Sequence, residues 1–178
     1  DFCTIYDNVK FSFVEQKERL GLGHAIYLGL EYIDDSVLIV LGDSILELDY
    51  SKFISSKISN LGVKRVLDPE RFGIVELVDN KIANVIEKPI HPASDLALIG
   101  IYFIISQNSL KNGIKHLIDN SIKTNGEYQL TDAFSVMIDN SHQFFPFEID
   151  ACLDCGVPET LFSTNRILLS REKLNSID

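Results

Sequence analysis

Between Ser36 and Ser44 the chain reads SVLIVLGDS, and its five consecutive apolar residues, Val37 to Leu41, leave no polar position to face water. Such a run predicts a strand covered on both faces, because a half-exposed strand would alternate. A buried helix segment is the competing reading, but the run is short, rich in β-branched residues and stopped by Gly42 and Asp43. A second run, ALIGIYFII from Ala97 to Ile105, predicts another central strand, with Gly100 marking a bulge or the close approach of another group to the backbone. Residues 9–15, VKFSFVE, alternate in the manner of a strand and end at Gln16. After the break at Gly21, the residues Leu22, Ile26, Leu30 and Ile33 fall on one helical face. Strand, helix and buried strand in that order predict a βαβ unit with a right-handed crossover.

The remaining pattern alternates in the same way. Asp49 to Ser59 predicts a short helix capped by Asp49 and ended by Gly62, and Val63 to Leu67 a strand before the turn at Asp68 and Pro69. Ile74 to Val78 and Ile82 to Ile86 read as a hairpin turned at Asp79 and Asn80. Pro89 stops the second arm and biases Lys88 to extended geometry. Helices are predicted over Ser109 to Asp119 and Leu130 to Asn140, and a strand over Phe144 to Ile149, with Pro146 marking it as an edge. Pro158 opens a last helix to about Leu169, whose apolar side carries Leu161, Phe162, Leu168 and Leu169. No internal repeat, low-complexity tract or flexible linker interrupts this order.

Composition narrows the chemistry. The 178 residues amount to one domain, with 26 acidic against 16 basic side chains and a formal charge of −10. That balance argues against a nucleic-acid polymer as partner, since such binding rests on Lys and Arg meeting phosphates. A small phosphorylated ligand is admissible if a metal ion or a few focused cations reverse the local field. The apolar runs are far too short to cross a bilayer, so no membrane partner is expected, and the cytoplasm is the expected location. Three cysteines, an odd number, suit a reducing compartment. Cys152 and Cys155 form a C-x-x-C, yet zinc would want a second pair or nearby histidines, and the other thiol is Cys3. Asp43 falls at the carboxyl end of the first buried strand, where ligands sit in open α/β sheets. It either holds a hard cation such as Mg²⁺ or merely turns the chain.

Taken together and in order, Gln16 followed by GLGHA, then VLGD, DPERFGIVE, IEKP, GIYF, GEYQLTDAF and LDCGVPE resemble the sugar-phosphate nucleotidylyltransferases. That group includes glucose-1-phosphate thymidylyltransferase and UTP-glucose-1-phosphate uridylyltransferase. The resemblance runs from Phe13 to about Leu169. It implies a mixed, mostly parallel Rossmann-like α/β sheet flanked by helices, the nucleotide-diphospho-sugar transferase type, with Mg²⁺ as cofactor. The implied activity joins a nucleoside triphosphate, dTTP or UTP, to a sugar 1-phosphate and releases pyrophosphate.

The resemblance also assigns roles. Gln16, Gly21 and Gly42 match nucleotide-binding positions, and Asp43 and Asp154 match the pair that binds the catalytic metal. Glu87 and Lys88 match E-K-P, where the acid holds sugar hydroxyls and the lysine, a catalytic position, approaches the phosphates. Since alternation would send these neighbours to opposite faces, a bulge or strand end is expected there. Gly73 and Gly100 match glycines beside the sugar, Tyr102 an aromatic lining that pocket, and Glu127 a motif closing the sugar side.

The family's G-x-G-T-R loop, which wraps the triphosphate, is not found in this sequence. The expectation is therefore a C-terminal portion of a single nucleotidyltransferase domain, truncated at the N-terminus, incompetent alone, and with an unpaired sheet edge open to a second copy. Residues 59–68 also look short for a strand before D-P-x-x-F-G, and Cys152 and Asn125 depart from residues common in relatives. Two other readings stay open at this point: a non-catalytic sugar-phosphate or nucleotide-sugar binding module, and a thiol or zinc protein built on Cys152 and Cys155.

Overall fold

The computed structural model describes residues 9–55, 57–149 and 151–175. Cys3 lies outside them. A six-stranded sheet runs in the order β1-β6-β3-β7-β5-β4, formed by β1 (Val37–Val40), β3 (Ser59–Arg65), β4 (Gly73–Val78), β5 (Lys81–Glu87), β6 (Leu96–Ile104) and β7 (Phe144–Glu148). It curls so that β4 also meets β6 at Ile74 and Ala97. A two-stranded ribbon pairs β2 (Ser44–Glu47) with β8 (Ala151–Asp154). The helices are α1 (Leu22–Gly29), α2 (Tyr50–Ser55), α3 (Gln107–Asp119), α4 (Leu130–Asp139) and α5 (Pro158–Asn175).

The mixed α/β class holds, but its strand directions differ from the expectation of a mostly parallel sheet. Among the described strands only β3 and β7 pair in parallel. The long β6 sits between β1 and β3 and runs antiparallel to both, and the β4–β5 hairpin adds another antiparallel pair. The apolar run of β6 therefore reported burial rather than direction: the strand is covered on both faces whichever way its neighbours run.

Two apolar clusters lie on opposite sides of the sheet. The larger joins Leu96, Leu98, Tyr102 and Ile104 of β6 to Leu110, Ile114, Leu117, Phe134 and Met137 of α3 and α4. The smaller joins Ile99 and Ile101 to Leu46, Phe53 and Ile149. Burying side chains of this size is worth about 1.5–3 kcal/mol each, so β6 is the strand on which both halves of the core depend.

Several expected elements differ. Residues 9–15 form no strand and Phe13 is 87% exposed, so no βαβ unit closes among the described residues; the alternating face finds no partner strand there. For the same reason β1 is covered on one face only, with Leu38 and Val40 40% and 47% exposed. The second helix stops at Ser55, although Asp49 caps it by accepting from Lys52 N–H at 3.1 Å. Gly62 lies inside β3, not at a helix end: a Cβ there would stand 2.4 Å from Ile101 Cγ2. Strand β3 is accordingly seven residues long and not short. Strand β7 is internal in the sheet order, yet it meets β5 only at Phe144, so Pro146 faces a stretch with one neighbouring strand. The hairpin turn forms as expected, with Asp79 and Asn80 at φ 50° and 60°. Helix α5 forms too, but Leu161, Phe162 and Leu169 on its apolar side are exposed.

Candidate active site

The β2–β8 ribbon decides where the two expected metal acids go. Ser44 pairs with Asp154 in its register, and Cys155 N–H donates to Asp43 O at 2.7 Å, which ties the β1–β2 turn to the end of β8. A methyl group placed on Gly156 would stand 3.1 Å from Asp154 Oδ1 and 3.3 Å from Asp43 Oδ2, so residues 111 positions apart in sequence aim their carboxylates into one small space. Asp154 Oδ1 accepts from Gly156 N–H at 2.8 Å, and Ser44 Oγ lies 3.4 Å from Asp43 Oδ1. The remaining lone pairs have no protein donor among the described residues.

A cavity of about 260 Å³ opens beside this pair, lined by Asp43, Arg71, Gly73, Glu87, Lys88 and Tyr102 among others. Glu87 enters it from the end of β5, opposite Gly73 in the β4–β5 register. Thr131 Oγ1 donates to Glu87 Oε2 at 3.0 Å, and one turn later Ser135 Oγ donates to Val85 O at 2.9 Å. Four residues of helix and two of strand both rise about 6 Å, so α4 can strap β5 at successive inward positions. Gly73 is small because a Cβ there would meet Thr131 Cγ2 at 2.7 Å.

Lys88 turns out of the strand with φ 43°, its N–H donating to Phe72 O at 3.0 Å. The left-handed turn brings Lys88 to the same cavity as Glu87, with Nζ 3.8 Å from Glu87 Oε1, and so the expected strand end is present. It also corrects the expectation of extended geometry before Pro89: a sparsely populated positive φ costs on the order of 1–3 kcal/mol, and the contacts around Lys88, the hydrogen bond to Phe72 among them, hold it there.

Tyr102 is buried against Phe134, their rings edge-on at 5.3 Å, and it also lines the cavity. Burial raises its phenol far above the ordinary range, a hydrogen bond from the Gly100 backbone opposes this, and the Glu87 and Asp43 charges add to the rise. Tyr102 is therefore a neutral group lying within electrostatic reach of both acid sites. Gly100 sits at φ 80° where β6 meets the β1–β2 turn, with Leu41 N–H donating to its carbonyl; a Cβ would come within 3.0 Å of Ser44 Oγ.

Other expected residues fall outside the cavity. Gly42 occupies the β1–β2 turn, where a Cβ would meet nothing within 4 Å. Gln16 and Gly21 form a separate corner beside Leu22, which does line the cavity. Gly21, at φ 104°, packs against residues 127–128, where a Cβ would be 2.7 Å from Glu127 Cβ. Glu127 is exposed, stands at that corner, and is absent from the cavity lining. Reasoning from sequence missed Thr131 and Arg71. Thr131 had a signal, the four-residue spacing to Ser135; Arg71 stood two residues before Gly73 in DPERFG.

A larger cavity, about 320 Å³, lies between α3 and α4 and is lined by Ser109, Asn112, His116, Asn140 and His142 among others, with none of the expected residues and no carboxylate. Cys152 lies on β8 rather than at the opening of a helix, and burial pushes its thiol up, with Asp154 and Asp43 adding to the rise and Lys64 opposing it. Such a thiol is a weak nucleophile. Among the described residues no group of three or more His, Cys, Asp or Glu is clustered to hold a metal, so a zinc cage is not formed there.

A mixed sheet with helices against it and acids at its strand ends is the nucleotide-diphospho-sugar transferase fold. Solved structures share it: UDP-glucose pyrophosphorylase complexed with UDP-glucose superposes with a TM-score of 0.74 at 24% identity, covering 94% of this chain and 69% of that one. UTP-bound UGPase from Acinetobacter baumannii gives 0.66 at 23% identity, covering 85% and 57%. A nucleotidyl transferase family model matches residues 4–171, and the chain belongs to that family of sugar-phosphate nucleotidyltransferases. Among relatives, the bifunctional protein GlmU of Methanocaldococcus jannaschii is 35% identical over 170 residues, 94% of this chain and 39% of that protein. Glucose-1-phosphate thymidylyltransferase of Streptomyces antibioticus is 30% identical over 179 residues, 93% and 49%. The chain thus spans half or less of the length of these two relatives. No helix among the described residues is long and apolar enough to cross a membrane.

Proposed function

We propose that the chain carries the sugar-side and metal-side half of a site that transfers a nucleotidyl group from UTP or dTTP to a hexose 1-phosphate such as glucose 1-phosphate, releasing pyrophosphate. The observation that carries this reading is the convergence of Asp43 and Asp154 beside a cavity holding Glu87 and Lys88. Two carboxylates with unclaimed lone pairs suit Mg²⁺, which takes one or two protein carboxylates and completes its shell with water and phosphate oxygens. Asp43 and Asp154 would hold it. When bound, the ion lowers the repulsion between two anionic substrates and supports charge developing on the departing pyrophosphate.

The chain's own residues do the positioning. Glu87 accepts from sugar hydroxyls through Oε1, because Thr131 occupies Oε2 and fixes the carboxylate plane. Lys88 meets phosphate oxygens as a compact cation. Gly73 and Gly100 leave room for close approach, and Tyr102 gives a neutral wall. A phosphate oxygen of the sugar 1-phosphate then attacks the α-phosphorus in line; one P–O bond forms, the bond to the β-phosphate oxygen breaks, and pyrophosphate leaves with its electron pair. No side chain acts as nucleophile. Gln16 and Gly21 face the nucleotide base at the neighbouring corner, Gly42 borders its phosphates, and Glu127 stands beside the base instead of the sugar.

The G-x-G-T-R segment is not in these 178 residues, so we expect them to bind sugar phosphate yet turn over at background. Pyrophosphate release with UTP or dTTP and glucose 1-phosphate tests this, together with calorimetry of glucose 1-phosphate alone. Fast turnover by the 178 residues contradicts the incomplete-site reading. Absence of both turnover and sugar-phosphate binding contradicts the site itself, while tight nucleotide-sugar binding that a supplied G-x-G-T-R half does not convert into turnover indicates a binding module.

A further inference from the structure

The corner formed by Gln16, Gly21 and His24 contains a hydrogen-bond arrangement whose protonation states can be deduced. Gln16 Nε2 lies 3.0 Å from Gly21 O and 3.0 Å from His24 Nδ1. A carbonyl oxygen only accepts, so the face of the amide turned to Gly21 is its NH₂, and the amide is not reversed. An amide nitrogen carries two hydrogens and accepts none. One hydrogen goes to Gly21 O; the other points to His24 Nδ1, which must therefore be the unprotonated nitrogen of a neutral ring carrying its hydrogen on Nε2. Both donors of Gln16 are spent inside the corner. Its Oε1 is the polar atom left over, with no partner among the described residues, so the side chain can offer an acceptor and nothing else.

We propose that His24 is a specificity-determining positioning residue, which fixes Gln16 as a pure acceptor and so makes the corner select a nucleobase that presents a ring N–H, as uracil and thymine do at N3. This rests on the reading above that Gln16 faces the base. Uracil and thymine carry a single Watson–Crick-edge hydrogen, on N3, and that is the atom an acceptor must meet. Cytosine has a bare N3, so an immobilised Oε1 directed there meets a lone pair. A Gln16 free to turn would escape this by offering its NH₂; His24 and Gly21 together deny that rotation. His24 acts through Gln16 and touches no reacting atom.

The test compares the wild-type chain with His24→Phe, which removes the acceptor and keeps a flat ring, and His24→Asn, whose Oδ1 can stand where Nδ1 stood. Imidazole and side-chain amide ¹⁵N spectra of the wild type should show an unprotonated His24 Nδ1 correlated through the hydrogen bond with Gln16 Nε2. Titration with UTP and with CTP, followed by saturation-transfer NMR, should show UTP preferred by about tenfold in the wild type and in His24→Asn, and a preference cut about fivefold in His24→Phe, the change expected for freeing one hydrogen-bonding group. The UTP-to-CTP ratio is an internal control, because general damage to the corner weakens both ligands. A protonated Nδ1, an equal preference in all three proteins, or a ratio lost in His24→Asn as in His24→Phe overturns the role of His24. Binding of neither nucleotide by the wild type supplied with the G-x-G-T-R half, with the Gln16–His24 correlation intact, instead overturns the placement of the base at this corner, and the selectivity role with it.

Discussion

The two acid-bearing ends of the site are built in opposite ways. At the Glu87 end the carboxylate rises from the main sheet, its side chain is only 12% exposed, and Thr131 satisfies one oxygen. The layer behind it is sealed in the same manner: Gln107 donates to Leu30 O at 2.8 Å. At the Asp43–Asp154 end the scaffold is a two-stranded ribbon, the acids are at least partly exposed, and beyond it the apolar side of α5 faces outward, with Phe162 74% exposed. A carboxylate held by protein donors is ready to recognise hydroxyls; a pair of carboxylates left facing each other repel until a cation joins them. The contrast teaches that the Glu87 end is preorganised by the fold, whereas the Asp43–Asp154 end, on the function proposed above, is completed by a bound cation.

That contrast can be broken most forcefully at the acid pair. Asp154→Asn should weaken Mn²⁺ uptake in the presence of UTP by about 10- to 100-fold, measured by water-proton relaxation, with little change in melting temperature. Unchanged uptake would mean that the open end is not a cation site. Within the core of the sheet the expectation reverses. Gly62→Ala forces a methyl group against Ile101 Cγ2 at 2.4 Å and Ile101 O at 3.0 Å, and should cost about 1–3 kcal/mol, lowering the melting temperature by about 2–10 °C in calorimetry.

A smaller effect should separate the two sides by pH. Ser59 Oγ accepts from Ile105 N–H at 3.1 Å and shares a hydrogen bond with His142 Nε2 at 2.8 Å. Burial holds the His142 imidazole below its usual value of 6.5, so the unfolded chain binds the proton more readily than the folded one. This group's contribution is complete above about pH 6.5 and is lost as pH falls through the lowered folded value. The urea midpoint should therefore drop on acidification below pH 6.5, and drop less in His142→Gln. An equal acid response in both proteins would show that His142 is not its source. Least of all, Phe162→Ser on exposed α5 should change the stability measured by urea unfolding by no more than about 0.5 kcal/mol. A larger loss would show that this side is not open.

Much of the fold was legible where period and turn chemistry agree. The β4–β5 hairpin, strand β6 and helices α3 and α4 follow from alternation, from an unbroken apolar run, from Asp79–Asn80, and from 3.6-residue spacing with Ser106 accepting from Ser109 N–H. Residues 9–15 misled because alternation states only that a strand could pair, and pairing needs a partner at the right edge. Gly62 misled because a glycine that ends a helix and one that admits a neighbouring side chain look alike in a string of letters. In the candidate site, Glu87, Lys88, Asp43 and Asp154 were each nameable from motifs, while Thr131, though it stands within GEYQLTDAF, was passed over because it acts through one hydrogen bond to a residue 44 positions away.

The amino-acid order alone determined most of the elements, the apolar positions that build a two-sided core on β6, and the family, because these depend on local periodicity and on motifs in register along the chain. Strand direction, the meeting of Asp43 with Asp154 through the β2–β8 register, and the left-handed turn that brings Lys88 beside Glu87 were decided only in three dimensions. The physical reason is the same for all three: each is set by hydrogen bonds and close contacts between residues far apart in sequence, whose geometry no local preference encodes.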